Sequence, residues 1–325
     1  MFIDGRKLLG MADEVAVSGA YSAVVLSNGD FNVRVKNITY GPEINEAKRA
    51  YNTGDFGKFE SIMGKRKGSI SWDVDLAPAV DDSAGSNLGS APAWADMLEG
   101  CGWSATAFSQ SWQIQTVATK TAETRTIGVY EIEEGAVASA QQNFIQLAGA
   151  MGNVQIILNE IGEFLTLHFE YQGRLEAISD TAAGSAFSGG GYDTSKPVGL
   201  LGSTLTAFGS AIDPDSMTID CQNQLAYIVD PAKGQGVKGV NVTNREPTLT
   251  VNPYRQLDSY NTYFSKWVSS TTGAFAASVG TNLSINAAAV QIANAYQAGE
   301  RDGNTIDEIS LNILRGSPEL RITQA

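Results

Sequence analysis

Between residues 69 and 76 the chain alternates strictly, with Ile70, Trp72, Val74 and Leu76 on one side and Ser69, Ser71, Asp73 and Asp75 on the other. A period of two sends successive side chains to opposite faces of an extended backbone, so this segment predicts a strand with one buried face. It is the returning arm of an excursion over residues 38–76, whose ends are strand-like and whose middle, 43–59, is polar and charged. Upstream, the apolar runs 21–26 and 31–35 flank Asn28-Gly29-Asp30, which predicts a hairpin over 19–35 as the first ordered stretch. Downstream, small and polar residues over 77–89 predict a loop. Ser90-Ala91-Pro92-Ala93 then leads into Trp94, Met97, Leu98 and Cys101 at helical spacing, with Gly102 as the stop, which predicts a short helix. Further strands are expected in 104–148, among them 126–130, followed by strands at 153–158 and 164–171.

Residues 179–199 are rich in Ala, Gly and Ser and contain Gly189-Gly190-Gly191, which reads as a linker between a first domain, 1–178, and a second, 200–325. Beyond it the order of elements repeats. Val240, Val242, Leu249 and Val251 lie in strand-like runs on either side of Asn244-Arg245-Glu246-Pro247, and Tyr260, Tyr263, Phe264 and Trp267 follow at helical spacing. Val290-Gln291-Ile292 precedes a charged loop at 299–303, and Ile306, Ile309, Leu311 and Ile313 mark a closing strand. The first half has the same succession, with Val154-Gln155-Ile156 where the second has Val290-Gln291-Ile292. The pattern reads as a diverged duplication with an insertion near 104–145. Trp94, Met97, Leu98, Tyr263, Phe264 and Trp267 are the expected packing residues of the two helices.

Composition narrows the function. The 325 residues, 43% hydrophobic, suffice for a sizeable core, and 34 glycines against 9 prolines suit short strands and tight turns, so a mainly β fold is expected. A formal charge of −13 repels phosphate backbones and argues against tight nucleic-acid binding. No apolar run approaches the roughly 20 residues that span a bilayer. No signal-like apolar core follows the start at residues 1–7, so the protein is expected to stay where it is made. Cys101 and Cys221, the only thiols, read as small buried hydrophobes.

Candidate chemistry is sparse. Gly234-Gln235-Gly236-Val237-Lys238-Gly239 matches G-x-G-x-x-G, but residues 240–243 look like a strand, which leaves no helix N-terminus for a pyrophosphate and favours a glycine turn. Gly64-Lys65-Arg66-Lys67-Gly68-Ser69 lacks the spacing of a phosphate loop and reads as a basic turn at a subunit contact. His168, the only histidine, can build neither a histidine metal cluster nor a proton relay within one chain, and its strand position suits a solvent-side or wall residue. Asp213, Asp215 and Asp220 fit no calcium loop, and a proline turn accounts for the first two. No catalytic, metal or cofactor site is expected, and the chain is not read as an enzyme.

Several blocks resemble the tail tube (major tail) proteins of long-tailed bacteriophages: 64–76, 91–103, 149–156 continuing to Gly173, 242–249 and 299–303. The resemblance covers about half the chain. It implies β-sandwich or open-barrel domains, each with a short flanking helix, whose strands complete one shared inner β-barrel when subunits join in a ring. Rings would stack into a hollow tube through which DNA passes without specific binding, in a non-contractile virion tail assembled in the host cytoplasm. A tape measure protein and tail terminator or tip proteins are implied as partners. Single-domain members form six-fold rings, so two domains in one chain imply three chains, a trimeric pseudo-hexamer, as the alternative to six.

The bottom-up expectation agrees, since exposed strand edges are an aggregation hazard that closing a ring removes. The excursion residues Glu43, Glu46, Lys48, Arg49, Tyr51, Asp55, Phe56, Lys58 and Phe59 are candidates for contact with the next ring; the other reading is a solvated loop. An acidic lumen would let DNA slide. Two other functions stay open: a monomeric virion adhesion module, which would expose aromatic residues such as Trp103 and Trp112, and an oxidoreductase using the glycine motif.

Overall fold

The computed structural model describes residues 2–14, 23–26, 28–31, 33–48, 60–77, 92, 94–105, 111–114, 124–133, 141–159, 163–182, 196–199, 202–256, 259–280, 283–301, 303–316 and 319–324. The chain is mainly β, as its alternation predicts, and short helices are few. The strands are β1 (Phe2–Asp13), β2 (Lys36–Ala47), β3 (Ile62–Asp75), β4 (Trp103–Ala105), β5 (Ser111–Ile114), β6 (Arg125–Glu133), β7 (Gln141–Leu158), β8 (Thr166–Ala182) and β9 (Thr204–Ala207). The remainder are β10 (Ser210–Ile212), β11 (Pro214–Asp220), β12 (Asn223–Val229), β13 (Val237–Arg245), β14 (Thr248–Pro253), β15 (Thr272–Val279), β16 (Leu283–Arg301), β17 (Asn304–Ile313) and β18 (Arg321–Gln324). Helix α1 (Ala95–Glu99) follows β3. A π-helical turn (Tyr260–Phe264) running into α2 (Ser265–Val268) follows β14.

All strands but two belong to one 16-stranded sheet, with β12 and β13 forming a separate two-stranded ribbon. The main path runs β2-β3-β8-β7-β11-β14-β17-β16-β15-β9-β10, and all its pairings are antiparallel. Its first eight strands read as the same quartet twice. In each, the two strands of an outer hairpin (β2 and β3; β11 and β14) are followed by the closing and then the opening strand of a second hairpin (β8 and β7; β17 and β16).

One face of the sheet is the core. Ile70, Trp72, Val74, Ile156, Leu167, Phe169, Ile219, Leu249, Leu311 and Ile292 are all at most 5% exposed, and one continuous cluster holds residues from both halves of the chain. Trp72 stacks between Phe169 and Tyr171, with ring centroids 5.6 and 5.1 Å away, each contact worth about 0.5–1.5 kcal/mol beyond its buried area. Cys101 and Cys221 are buried free thiols, as expected.

Several sequence expectations are corrected. The first strand is β1, not a hairpin over 19–35: residues 28–31 form a short 3-10 turn, and the described flanks 23–26 and 33–35 are not strand. Phe31 packs instead on Tyr130, because a side cluster of Phe31, Tyr130 and Phe144 offers more burial than a local pairing. The strand expected at 153–158 is the last third of the 18-residue β7, since the sheet continues along its neighbour β6. β8 runs to Ala182, so the first four residues of the expected linker are strand; 183–195 lie outside the described residues. The Gly64–Ser69 block is strand within β3, not a turn.

Candidate assembly surfaces

The face of the sheet opposite the core is polar because the period-two pattern leaves nothing else there. It carries Asp73 and Asp75 on β3, His168 and Glu170 on β8, Asn153 and Gln155 on β7, Asp220 on β11, Thr250 on β14 and Glu308 on β17. Its acidic groups are held by fixed donors. Asp73 accepts from Asn37 Nδ2 at 2.6 Å and lies 2.6 Å from His168 Nδ1, Asp75 pairs with Lys36 Nζ at 2.6 Å, and Asp220 accepts from Asn153 and Gln155 at 2.9 and 2.8 Å. The expected solvent-side position of His168 is therefore observed. Carboxylates outnumber cations on this face, so it presents a negative wall.

The two quartets leave two borders open among the described strands. There β2 is terminal and pairs only with β3; its residues are exposed from Gly41 to Ala47. β16 is covered by β15 only as far as Gln291, and no described strand pairs with residues 292–301 on that side. The outer part of the first hairpin forms an arm on which Ile44, Ile62 and Met63 are 45, 55 and 59% exposed. Glu43, Glu46 and Lys48 lie on it, all exposed, with Glu43 3.1 Å from Lys67 Nζ; Arg49, Tyr51, Asp55, Phe56, Lys58 and Phe59 lie outside the described residues.

The second hairpin has a corresponding arm, the β12–β13 ribbon, which the sequence reading missed as an arm. It folds back over the first quartet. Arg66 N donates to Gln235 O at 3.0 Å and Arg174 Nη1 to Lys238 O at 2.9 Å. At the crossing Gly149 has φ +59, and a Cβ there would stand 2.7 Å from Gly239 Cα, so only glycine fits.

The two helices differ. Trp94, Met97 and Leu98 are all at most 2% exposed, and Trp94 donates its indole N–H to Ala77 O at 2.7 Å. In the second, Tyr263 is buried and donates to Asp307 at 2.6 Å, Phe264 is half-buried, and Trp267 is 36% exposed, its indole bonded to Ala293 O at 3.2 Å. Trp267 is thus corrected from a core residue to a marginal one: α2 is a single turn with no buried residue and lies along the border of β16.

The remaining candidates resolve into structural roles. Gly234 to Gly236 form the turn between β12 and β13, and a strand follows where a phosphate site needs a helix. Asp213, Asp215 and Asp220 bind different partners: Gln256; Arg301 with Tyr254; and Asn153 with Gln155. No group of three metal-ligating side chains occurs among the described residues. Trp103 and Trp112, expected at an exposed binding patch, are both fully buried. Burial pushes the Cys221 thiol up to about 12 and Cys101 well above its ordinary value, so neither is a nucleophile at neutral pH. Among the described residues no helix is long and apolar enough to cross a membrane. The chain matches no protein-family model and no curated protein.

Proposed function

We propose that the chain is a structural subunit that assembles with copies of itself into stacked rings, forming the hollow tail tube of a long-tailed bacteriophage. The observation that carries this reading is the quartet order met twice along one sheet whose two quartets each leave a border open among the described strands, on β2 and on β16 beyond Gln291. A sheet with unsatisfied margins gains hydrogen bonds by joining another, and a head-to-tail joint whose rotation closes produces a ring. The blocks at 64–76, 91–103 and 149–173 that resemble tail tube proteins fall on β3, on the α1 region and on the β7–β8 hairpin, so the resemblance is spread over the same framework.

In this reading the polar face lines the lumen, and its carboxylates repel the DNA phosphates so that the genome slides without being held. Two tube-like units, 1–178 and 200–325, place three chains in a pseudo-hexameric ring. The arm of the first unit is available for contact outside the sheet, and a tape measure protein and terminator or tip proteins would be its partners in the tail. No enzyme activity belongs to the proposal. The burial of Trp103 and Trp112 removes the feature on which the adhesion reading depended.

Negative-stain microscopy of the purified chain, alone and seeded with preformed tubes, tests the proposal. Rings or tubes with a central channel are expected. A chain that stays monomeric under all these conditions refutes it.

A further inference from the structure

The internal joint between the quartets is a template for the joint between chains. Strand by strand, the pairings set a correspondence. Coverage of β7 by β6 ends with Arg125 opposite Ala150, and coverage of β16 by β15 ends with Thr272 opposite Gln291; each approach contains a bulge of two residues against three. Val154 opposite Phe169 opposite Trp72 corresponds to Ala295 opposite Ile309 opposite Val251. The bond from Leu76 N to Leu165 O, 2.7 Å, has its counterpart from Arg255 N to Thr305 O, 2.8 Å. On the outer hairpins, Ile219 opposite Leu249 corresponds to Tyr40 opposite Ile70. The aligned positions keep their faces: Met217 and Ile219 are buried, and Ile38 and Tyr40 pack on the core.

The correspondence also has the stagger that a closed barrel needs. Ile157 lies in one row with Thr218, Thr250, Ser310 and Asn294, but its counterpart is Gly299, opposite Ile306 as Ile157 is opposite Thr166, five residues further along β16 with Ala298 as a bulge. With the bulged residue left out, four paired positions over a quartet of strands is one per strand, the ratio of shear to strand number that gives a tilt of about 36° in eight-stranded barrels.

Past Ala150, β7 is taken up by β11, with Leu158 opposite Met217, Ile157 opposite Thr218, Ile156 opposite Ile219 and Gln155 opposite Asp220. Past Gln291, β16 has no such partner among the described strands, while β2, the counterpart of β11, pairs there with β3 alone. Resting on the proposed function, we infer that β2 of a neighbouring copy pairs antiparallel with residues 296–299 of β16, with Gly299 opposite Thr39, Gln297 opposite Tyr40 and Tyr296 opposite Gly41 of that copy and Ala298 bulged between them. The occupant is a second copy because the joint reproduces one the chain already makes with itself. The isologous alternative, β2 against β2, has no template in the molecule.

Cysteine cross-linking of the full-length double variant Thr39→Cys/Gly299→Cys tests this register; a Cβ at Gly299 meets nothing within 4 Å. The native thiols are buried and silent. Mild oxidation of assembled material should link chains into closed covalent oligomers on non-reducing gels, whereas either single variant yields dimers at most. Thr39→Cys with Asn294→Cys, about 17 Å out of register at 3.3 Å per residue, should not cross-link. Rings that form without the Thr39–Gly299 link, or that link through Asn294, overturn the inference and leave the proposed function standing. A wild-type chain that never assembles overturns both.

Discussion

The two long inner strands, β7 and β16, are alike in length and surroundings, yet one is finished and the other is not. β7 runs from β6 onto β11 without leaving a border open, and its last residues, Ile156 and Leu158, are at most 1% exposed. β16 leaves β15 at Gln291 and runs ten further residues, to Arg301, with β17 as its one strand partner among the described residues and α2 touching it at Ala293. The difference is not in the strands themselves. It follows from an outer hairpin, β11 and β14, lying between the two quartets, whereas no described strand after β17 pairs with residues 292–301.

Proline placed at corresponding points should separate the two most sharply. Ala298 lies at a bulge between the paired residues Gln297 and Gly299, so Ala298→Pro removes an N–H that the β17 ladder does not use. The variant should keep its far-ultraviolet circular dichroism and melting temperature while losing all assembly in negative stain. Ile157→Pro, at the β7 position that matches the next residue, Gly299, strikes a finished joint and should cost about 2–3 kcal/mol, read as a lowered urea midpoint.

The helices give the next largest contrast. Trp94→Ala opens a cavity beside Trp112, whose ring centroid is 4.8 Å away, and should destabilise by about 3–5 kcal/mol. Trp267→Ala should cost under about 1 kcal/mol, because α2 lies at the border. If Trp267→Ala proved as costly as Trp94→Ala in urea unfolding, the comparison between a core helix and a border helix would fail.

A smaller effect is expected at Asp307, which is fully buried and accepts from Arg255 Nε at 2.9 and 3.1 Å and from Tyr263 at 2.6 Å. These bonds tie the segment before α2 to β17. Since the Arg255 side chain is 38% exposed, Asp307→Ala should cost about 2–3 kcal/mol, below a fully buried ion pair. Burial and the hydrogen bond to Asp307 push Tyr263 up to about 12. Loss of Asp307 should therefore lower that value, seen as an earlier phenolate absorbance in an alkaline titration. The smallest expected effect is none: at pH 8 Cys101 and Cys221 stay protonated and buried, so iodoacetamide should label neither in the native chain and both in 8 M urea.

Much of the fold was legible locally. Alternation at Ile70, Trp72, Val74 and Leu76 identified the core face of β3. The Trp94-Met97-Leu98-Cys101 spacing identified α1, whose chain turns away at Gly102 with φ +80. The correspondence between halves was legible as an order of elements but not in its register. The likeness of Val154-Gln155-Ile156 to Val290-Gln291-Ile292 suggested aligning them, whereas the pairings align Val154 with Ala295. The bulge between Ile292 and Asn294 restores the face pattern after this slip, and no local signal marks it. β1 was missed because its Gly5-Arg6-Lys7 stretch breaks the alternation, and its pairing with β6 lies more than a hundred residues away.

By itself, then, the sequence determined that this chain is mainly β, which side chains are buried on most strands, and that its surface is acidic, because these depend on neighbours one or two positions apart. Only the tertiary structure decided which strands lie side by side, in what register, and where the sheet stops. A slip of two residues along a strand leaves every side chain on its own face, so the alternating pattern tolerates many registers. Choosing among them takes hydrogen bonds between segments that meet only when the whole sheet forms, as between β7 and β11.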